Sequence, residues 1–290
     1  MENYLLDAYD LHIHCAPDVV ERSVTGLEMT KIACECGMRG FAFKAHYGST
    51  ASQAAMLRAM YPECNALGGI TLNSAVGGIN PMAVENAARL GAKIVWCPTF
   101  DSPGQLKYYL ENHPQYMVLH TSLMDRGVDI SSHKIIDEDG KLTKAMSDVL
   151  DIVRDYGMML GTGHISHEET FALARESKRR GYKKLVITHA DWNFTYYSLD
   201  EQMALAQMGA TIEHSYTSPA EGAVAWETVF EQIRKVGVEN TILSTDLGQK
   251  RNVYPNVGFQ RFACKLAENG FSRDELRSMM VYKPAMLVEE

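Results

Sequence analysis

A chain of 290 residues, 46% apolar and 22% charged, can bury a large core, which excludes a disordered chain or a small disulfide-stapled scaffold. Its formal net charge of −8, from 28 basic and 36 acidic residues, argues against nucleic acid as a partner, because phosphate binding needs a basic footprint. Cys15, Cys34, Cys36, Cys64, Cys97 and Cys264 follow no disulfide framework, and the start MENYLLDAYD lacks the basic residues and apolar run of a signal peptide. No stretch has membrane-spanning length without charge, so the expectation is a cytoplasmic protein with reduced thiols and no membrane partner.

Short apolar runs bounded by turn signals mark eight candidate strands: 9–14, 40–46, 68–73, 93–99, 158–164, 184–190, 211–216 and 241–248. Helix-like segments lie between them. TGLEMTKIACECGMRG opens on a cap and closes on glycine. NPMAVENAARLGAK has Pro81 in its first turn and Gly91 at its end. HEETFALARESKRRGYK and DEQMALAQMGA repeat the pattern. The longest excursion, 100–156, follows the fourth strand. It holds a small hairpin around EDG and then a helix, KAMSDVLDIVRDYG, and is expected to cover the site partly. Alternation of this kind implies a parallel sheet, and eight strands over about 250 residues imply a closed (β/α)8 TIM barrel with a small insertion after strand 4. One domain over 1–290 is expected. An open doubly wound sheet is the alternative, but no phosphate-binding glycine loop supports it; GGITLNSAVGGINP is glycine-rich and lacks the lysine such a loop needs.

In a parallel barrel the C-terminal strand ends meet at one face, which holds the active site. Here those ends are polar. The first strand ends in DLHIH, with His12 and His14; the second carries Lys44 and His46. The fifth ends in His164, the sixth in His189, the seventh in Glu213 and His214, and the eighth carries Asp246. Strict alternation would set Asp10, His12 and His14 on one side of the first strand, and would let only one of Glu213 and His214 face the axis. Imidazoles with a carboxylate suit a divalent transition metal. A pair of histidines alone is more often a hydrogen-bonded structural pair; the convergence of five ligand-type residues on one face favours metal. His113, His120, His133 and His167 read as ordinary surface or lid residues, and Cys97 as a small core residue.

The order His-x-His, His, His, Asp on strands 1, 5, 6 and 8, carried by DLHIH, GTGHISHEE, VITHAD and STDLGQ, resembles the amidohydrolase superfamily of metal-dependent barrel enzymes. FKAHYGST, NSAVGGINPMAVE and VWCPT are similar to an uncharacterised branch of it. The resemblance implies a metal-dependent hydrolase acting on an amide, lactone, ester or phosphoester of a small molecule. It implies one or two divalent ions (zinc first; manganese, iron or nickel also fit) held by His12, His14 and Asp246, with His164 and His189 available to the first ion or a second. Asp246 would be the general base and His189 would stabilise charge. The chain departs from the resemblance on strand 4, KIVWCPTF, where binuclear members carry a bridging lysine or glutamate. Lys93 is at the wrong end and Cys97 is the only conceivable ligand. Lys44 on strand 2 is the substitute, bridging if carboxylated, or facing substrate. Arg22, His46, Asn73 and Glu213 are the expected substrate contacts. The missing strand-4 bridge keeps a single-metal decarboxylase or isomerase open, and a non-catalytic metal-dependent binding protein is the reading from another class. A barrel of the polymerase-and-histidinol-phosphatase type also begins with His-x-His, but needs acidic ligands from the middle strands that are scarce here. A homo-oligomer is compatible with all of these.

Overall fold

The computed structural model describes residues 2–289. Nine short strands, all paired in parallel, form the wall: β1 Tyr9–Ile13, β2 Gly40–Phe43, β3 Asn65–Leu67, β4 Gly69–Thr71, β5 Ile94–Trp96, β6 Met159–Gly161, β7 Leu185–Ile187, β8 Thr211–Ser215 and β9 Thr241–Ser244. Their order is β1-β2-β3 and β4-β5-β6-β7-β8-β9. β3 and β4 are one barrel strand interrupted at Gly68: β3 pairs with β2 and β4 with β5. The expected third strand therefore begins three residues earlier than the sequence suggested. At the break Thr50 enters the sheet. Its Oγ1 accepts from Gly69 N (2.9 Å) and donates to Phe43 O (2.9 Å). The ring closes between β9 and β1, where His14 N donates to Leu247 O (2.7 Å) and Asp246 N to His12 O (2.8 Å). This is the (β/α)8 TIM barrel the alternation predicted.

The helices form because the sequence supplies their ends. Thr25, Ser166, Ser198 and Ser272 each cap a helix through a reciprocal box with the glutamate three residues on. Pro81 and Pro255 stand in first turns, where no N–H is needed. No helix among the described residues is long and apolar enough to cross a membrane.

Packing divides into an interior and an outer layer. Tyr9, Leu11, Ala42, Leu67, Ile94, Trp96, Met159, Val186 and Ile242 fill the barrel, and Leu287 and Val288 from the last helix, Lys283–Val288, pack into the same cluster. Glu289 completes the plug by accepting from Tyr9 Oη and Arg39 Nη2. Outer clusters lie between strands and helices.

One expectation fails on β1. The register passes from Asp10↔Phe41 to Ile13↔Phe43, so β1 has one residue more than β2 over this step, a bulge. Leu11 joins the interior cluster on the side that His12 also faces, and strict alternation is lost. Asp10 turns instead to Thr245, accepting from its N (3.1 Å) and Oγ1 (2.6 Å), and to His12 N (3.2 Å).

The insertion after β5 holds helices Pro103–Asn112 and Val118–Met124 and a small turn, 135–143, in which Asp137 N donates to Lys141 O (2.8 Å) and Thr143 N to Ile135 O (2.9 Å). The helix Lys144–Asp155 that follows packs against the outer layer.

Truncating the plug tests its weight. Leu287→Ala should cost about 2–5 kcal/mol, as a buried leucine in a collapsed-resistant site does, read by urea denaturation, without lowering the metal content of the protein. Loss below about 0.5 kcal/mol would remove the C-terminal helix from the core.

Candidate metal centre

Each histidine at the C-terminal face is gripped at Nδ1. His12 Nδ1 meets Glu213 Oε1 at 3.2 Å and Oε2 at 3.3 Å. His14 Nδ1 meets the carbonyl of Lys44 at 3.0 Å. His164 Nδ1 meets Gln105 Oε1. His189 Nδ1 meets Thr195 Oγ1 at 3.2 Å, and that hydroxyl's own hydrogen goes to His189 O at 3.0 Å. All four partners act as acceptors, so each Nδ1 carries the hydrogen and each Nε2 presents its other valence to the site.

The Nε2 atoms converge. His12 Nε2 and His14 Nε2 lie 3.2 and 3.1 Å from Asp246 Oδ1, and one ligand atom from each of these three residues falls within 4.8 Å of the others. His164 Nε2 and His189 Nε2 face each other at 3.1 Å. Burial pushes the His14 imidazole down to about 3 and His189 to about 4, and holds His164 well below the usual histidine range. These three are neutral rings whose lone pairs point at one another or at a carboxylate, an arrangement that a shared cation relieves. His12 lies between Glu213 and Asp246, its Nδ1 on the first and its Nε2 3.2 Å from the second. The residues present therefore fit a divalent ion, with the outer partners fixing ring orientation as metal-bound histidines require.

Carboxylates complete the electrostatics. Burial would raise Glu213, but the charge and N–H of His12, and the His189 N–H at 2.8 Å, outweigh it and hold the carboxyl at about 2. Burial also opposes ionisation of Asp246, and His12 and His14 overcome it, keeping the carboxyl well below its ordinary value. Among the described residues, Asp246 Oδ2 is engaged only by Thr217 Oγ1, at 3.4 Å.

Backbone strain sits here too. His189 (φ 30°) and Asp246 (φ 53°) are two of three non-glycine residues at positive φ among the described residues. Gly163 (φ 58°) and Gly248 (φ 132°) allow backbones to close in: a Cβ would stand 2.4 Å from Cys97 O and 1.8 Å from His14 O respectively. Gly163 thus lets the chain before His164 run against the backbone that follows β5.

The remaining expected residues fall as follows. Lys44 Nζ lies 3.1 Å from His12 Nε2 and 5.7 Å from the Trp96 ring, and burial pulls its ammonium down to about 8. His46 Nδ1 meets Thr99 Oγ1 at 2.9 Å; that hydroxyl also accepts from Asn73 Nδ2 at 2.7 Å, and among the described residues no other acceptor takes its hydrogen, so it donates to His46, whose Nε2 then carries hydrogen. His46 is the opposite tautomer to the other four, a donor. Asn73 is buried, holding His46 O, Thr99 N and Thr99 Oγ1, and Glu213 faces the axis as a support for His12 and His189; neither lines the cavity. Arg22 does line it. His214 faces outward, fully buried against Asp191 (3.1 Å). At the end of β5, Cys97 belongs to the outer cluster, while Trp96 points inward, 6.1 Å from the His12 ring.

Several site residues carried no sequence signal. Gln105 comes from the insertion and Thr195 from the β7 loop. Trp192, 5.1 and 5.4 Å from the rings of His189 and His164, Tyr109 and Tyr116 form the cavity wall. Lys250 and Arg251 lie at its rim; the run GQKR just after Asp246 was the cue available for them.

Comparison with solved structures finds the same barrel fold in proteins described as amidohydrolases and dipeptidases. An amidohydrolase from Pseudomonas aeruginosa is similar over 99% of this chain and 98% of that one (12% identity, TM-score 0.63). The probable dipeptidase PvdM from the same organism is similar over 98% and 95% (10%, 0.61), and a probable 2-pyrone-4,6-dicarboxylic acid hydrolase from Acinetobacter baumannii, solved with citric acid bound, over 97% and 99% (11%, 0.58). No curated protein matches. A model described as a family of unknown function (DUF6282) matches residues 7–213, and the chain belongs to that family.

Glu213 gives the sharpest test of the outer partners. Glu213→Gln should weaken zinc binding about 10–100-fold in competition with a chelator, while the fold melts normally. Unchanged affinity would detach Glu213 from the metal centre.

Proposed function

We propose that this protein is a metal-dependent hydrolase that cleaves an amide, lactone, ester or phosphoester of a small molecule. One observation carries the reading: four Nε2 atoms and the Asp246 carboxylate turn into one space while every Nδ1 is tied back. A divalent ion bound there, zinc first, supplies an acidified water and polarises the carbonyl or phosphoryl oxygen. His12, His14 and Asp246 would hold one ion, and His164 and His189 the same ion or a second. Lys44 would bridge as a carbamate, since burial favours its neutral amine, or meet the substrate.

The chain's own groups divide the chemistry. Asp246 Oδ2 opens on the cavity and takes the proton of the attacking water, then returns it to the leaving group. His46, a donor at Nε2, stabilises the developing oxyanion, a part expected of His189 from the sequence. Phe100, Tyr109 and Tyr116 close over the site and exclude bulk water. Glu213 and Asn73 act by positioning His12, His189 and His46. A single-metal decarboxylase or isomerase is the second reading, favoured by one observation: β5 offers Trp96 and Cys97 in place of a bridging ligand.

Two outcomes test this. Zinc-loaded protein should hydrolyse members of a panel of esters, lactones, amides and phosphoesters, and Asp246→Asn should lower the rate about 10²–10⁴-fold. Release of carbon dioxide without hydrolysis would transfer the site to the second reading. Metal content near two per chain in wild type should fall towards one in Lys44→Ala if Lys44 bridges; one equivalent in both would leave Lys44 to the substrate.

A further inference from the structure

We propose that Arg22 is a carboxylate receptor, and that the substrate is a small carboxylate with a planar, unsaturated body. This rests on the hydrolase reading for the reaction but not for the binding. The cavity above the metal centre has a volume of about 370 Å³, at the small end for a ligand site. Its lining combines aromatic rings (Phe100, Tyr109, Tyr116, Trp192) with the Arg22 guanidinium.

Arg22 is built for recognition. It stands in the loop between β1 and the helix Gly26–Cys36, which is laced to the β9 loop where Ser23 N donates to Gly248 O (2.8 Å). Its side chain is only 5% exposed. Asp18 Oδ2 takes Nε at 2.7 Å and Nη2 at 2.6 Å, and Asp18 Oδ1 is itself held by Val19 N at 2.6 Å. A guanidinium has two edges that match a carboxylate. Asp18 uses the Nε/Nη2 edge. The Nη1/Nη2 edge remains, and among the described residues no hydrogen bond is made by Nη1. Asp18 thus fixes the plane of the group without spending its second fork, and the ordering cost is met before a ligand arrives.

The other cations at the cavity differ. Lys44 is buried against His12 Nε2 (3.1 Å) and is a point charge with no fork. Lys250 pairs with Glu21 (2.8 Å) and Arg251 with Glu221 (3.1 Å) and Tyr116 Oη (3.1 Å); the side chains of these two are 59% and 55% exposed. They form a rim that draws anions in a chain that is acidic overall. Arg22 is the buried fork beneath it. The four rings give the ligand body flat apolar surface, which favours an aryl or conjugated acid over a branched aliphatic one.

Calorimetric titration of the zinc-loaded protein with benzoate, benzamide, phenyl phosphate and inorganic phosphate tests this. Benzoate should bind at least tenfold more tightly than benzamide or either phosphate. Arg22→Lys, which keeps charge but loses the fork, and the double variant Arg22→Met/Asp18→Asn, which leaves no unpaired buried charge, should each lose at least tenfold in benzoate affinity with zinc content unchanged. Benzoate binding that persists in the double variant and vanishes on removing zinc would mean an anion on the metal and would overturn the proposal. Tighter binding of phenyl phosphate through Arg22 would overturn it in favour of phosphate esters, and no benzoate binding would overturn it outright. A wild-type chain that takes up no zinc would sink the hydrolase reading alone; the same titrations on the metal-free chain then decide Arg22.

Discussion

Two backbone hydrogen bonds join the first and last strands of the barrel, His14 N to Leu247 O and Asp246 N to His12 O. They are closure bonds, and they also set the metal centre. Three of the four residues that make them, His12, His14 and Asp246, are those whose ligand atoms converge within 4.8 Å. Closing the ring therefore brings a carboxylate from one end of the chain onto two imidazoles from the other. Gly248 is needed at this seam because the β9 loop runs directly over the His14 carbonyl.

The site is then held from outside. Glu213, Lys44 O, Gln105 and Thr195 each accept from an imidazole, and in doing so aim the opposite nitrogen inward. These supports come from β8, the end of β2, the insertion and the β7 loop. The insertion is thus more than a cover: it supplies a wall through Tyr109 and Tyr116 and a tautomer-setting acceptor through Gln105. The strained backbones of His189 and Asp246 persist because neighbouring hydrogen bonds fix them, at a cost of about 1–3 kcal/mol each.

Much of this was legible in the sequence because strand ends in a barrel share a face. Short apolar runs gave the strands, and the histidines at their ends gave the centre. Alternation misled on β1, because a bulge is set by pairing with β2 and leaves no mark on the run DLHIH. The start of the third strand was hidden because CNAL reads as a turn, and its break depends on Thr50, which lies one helix earlier. Alternation could not say whether Glu213 or His214 faces the axis; the partners Asp191 and His12 decide it. Trp192 and Arg251 belong to loops, and Gln105 to a helix of the insertion, where no strand periodicity connects a residue to the face it will reach.

The outer acceptors turn the histidine Nε2 atoms inward, where the proposed metal would bind. Long-range proton–nitrogen correlation spectra of uniformly ¹⁵N-labelled protein read the tautomer of each ring directly, without and with zinc. The account predicts Nδ1–H tautomers for His14, His164 and His189 in the metal-free chain, the opposite tautomer for His46, and a metal-induced shift of Nε2 in His12 and His14 and in at least one of His164 and His189. Nε2–H tautomers at those three positions, with spectra that zinc leaves unchanged, would contradict it and return the histidines of DLHIH to a structural role.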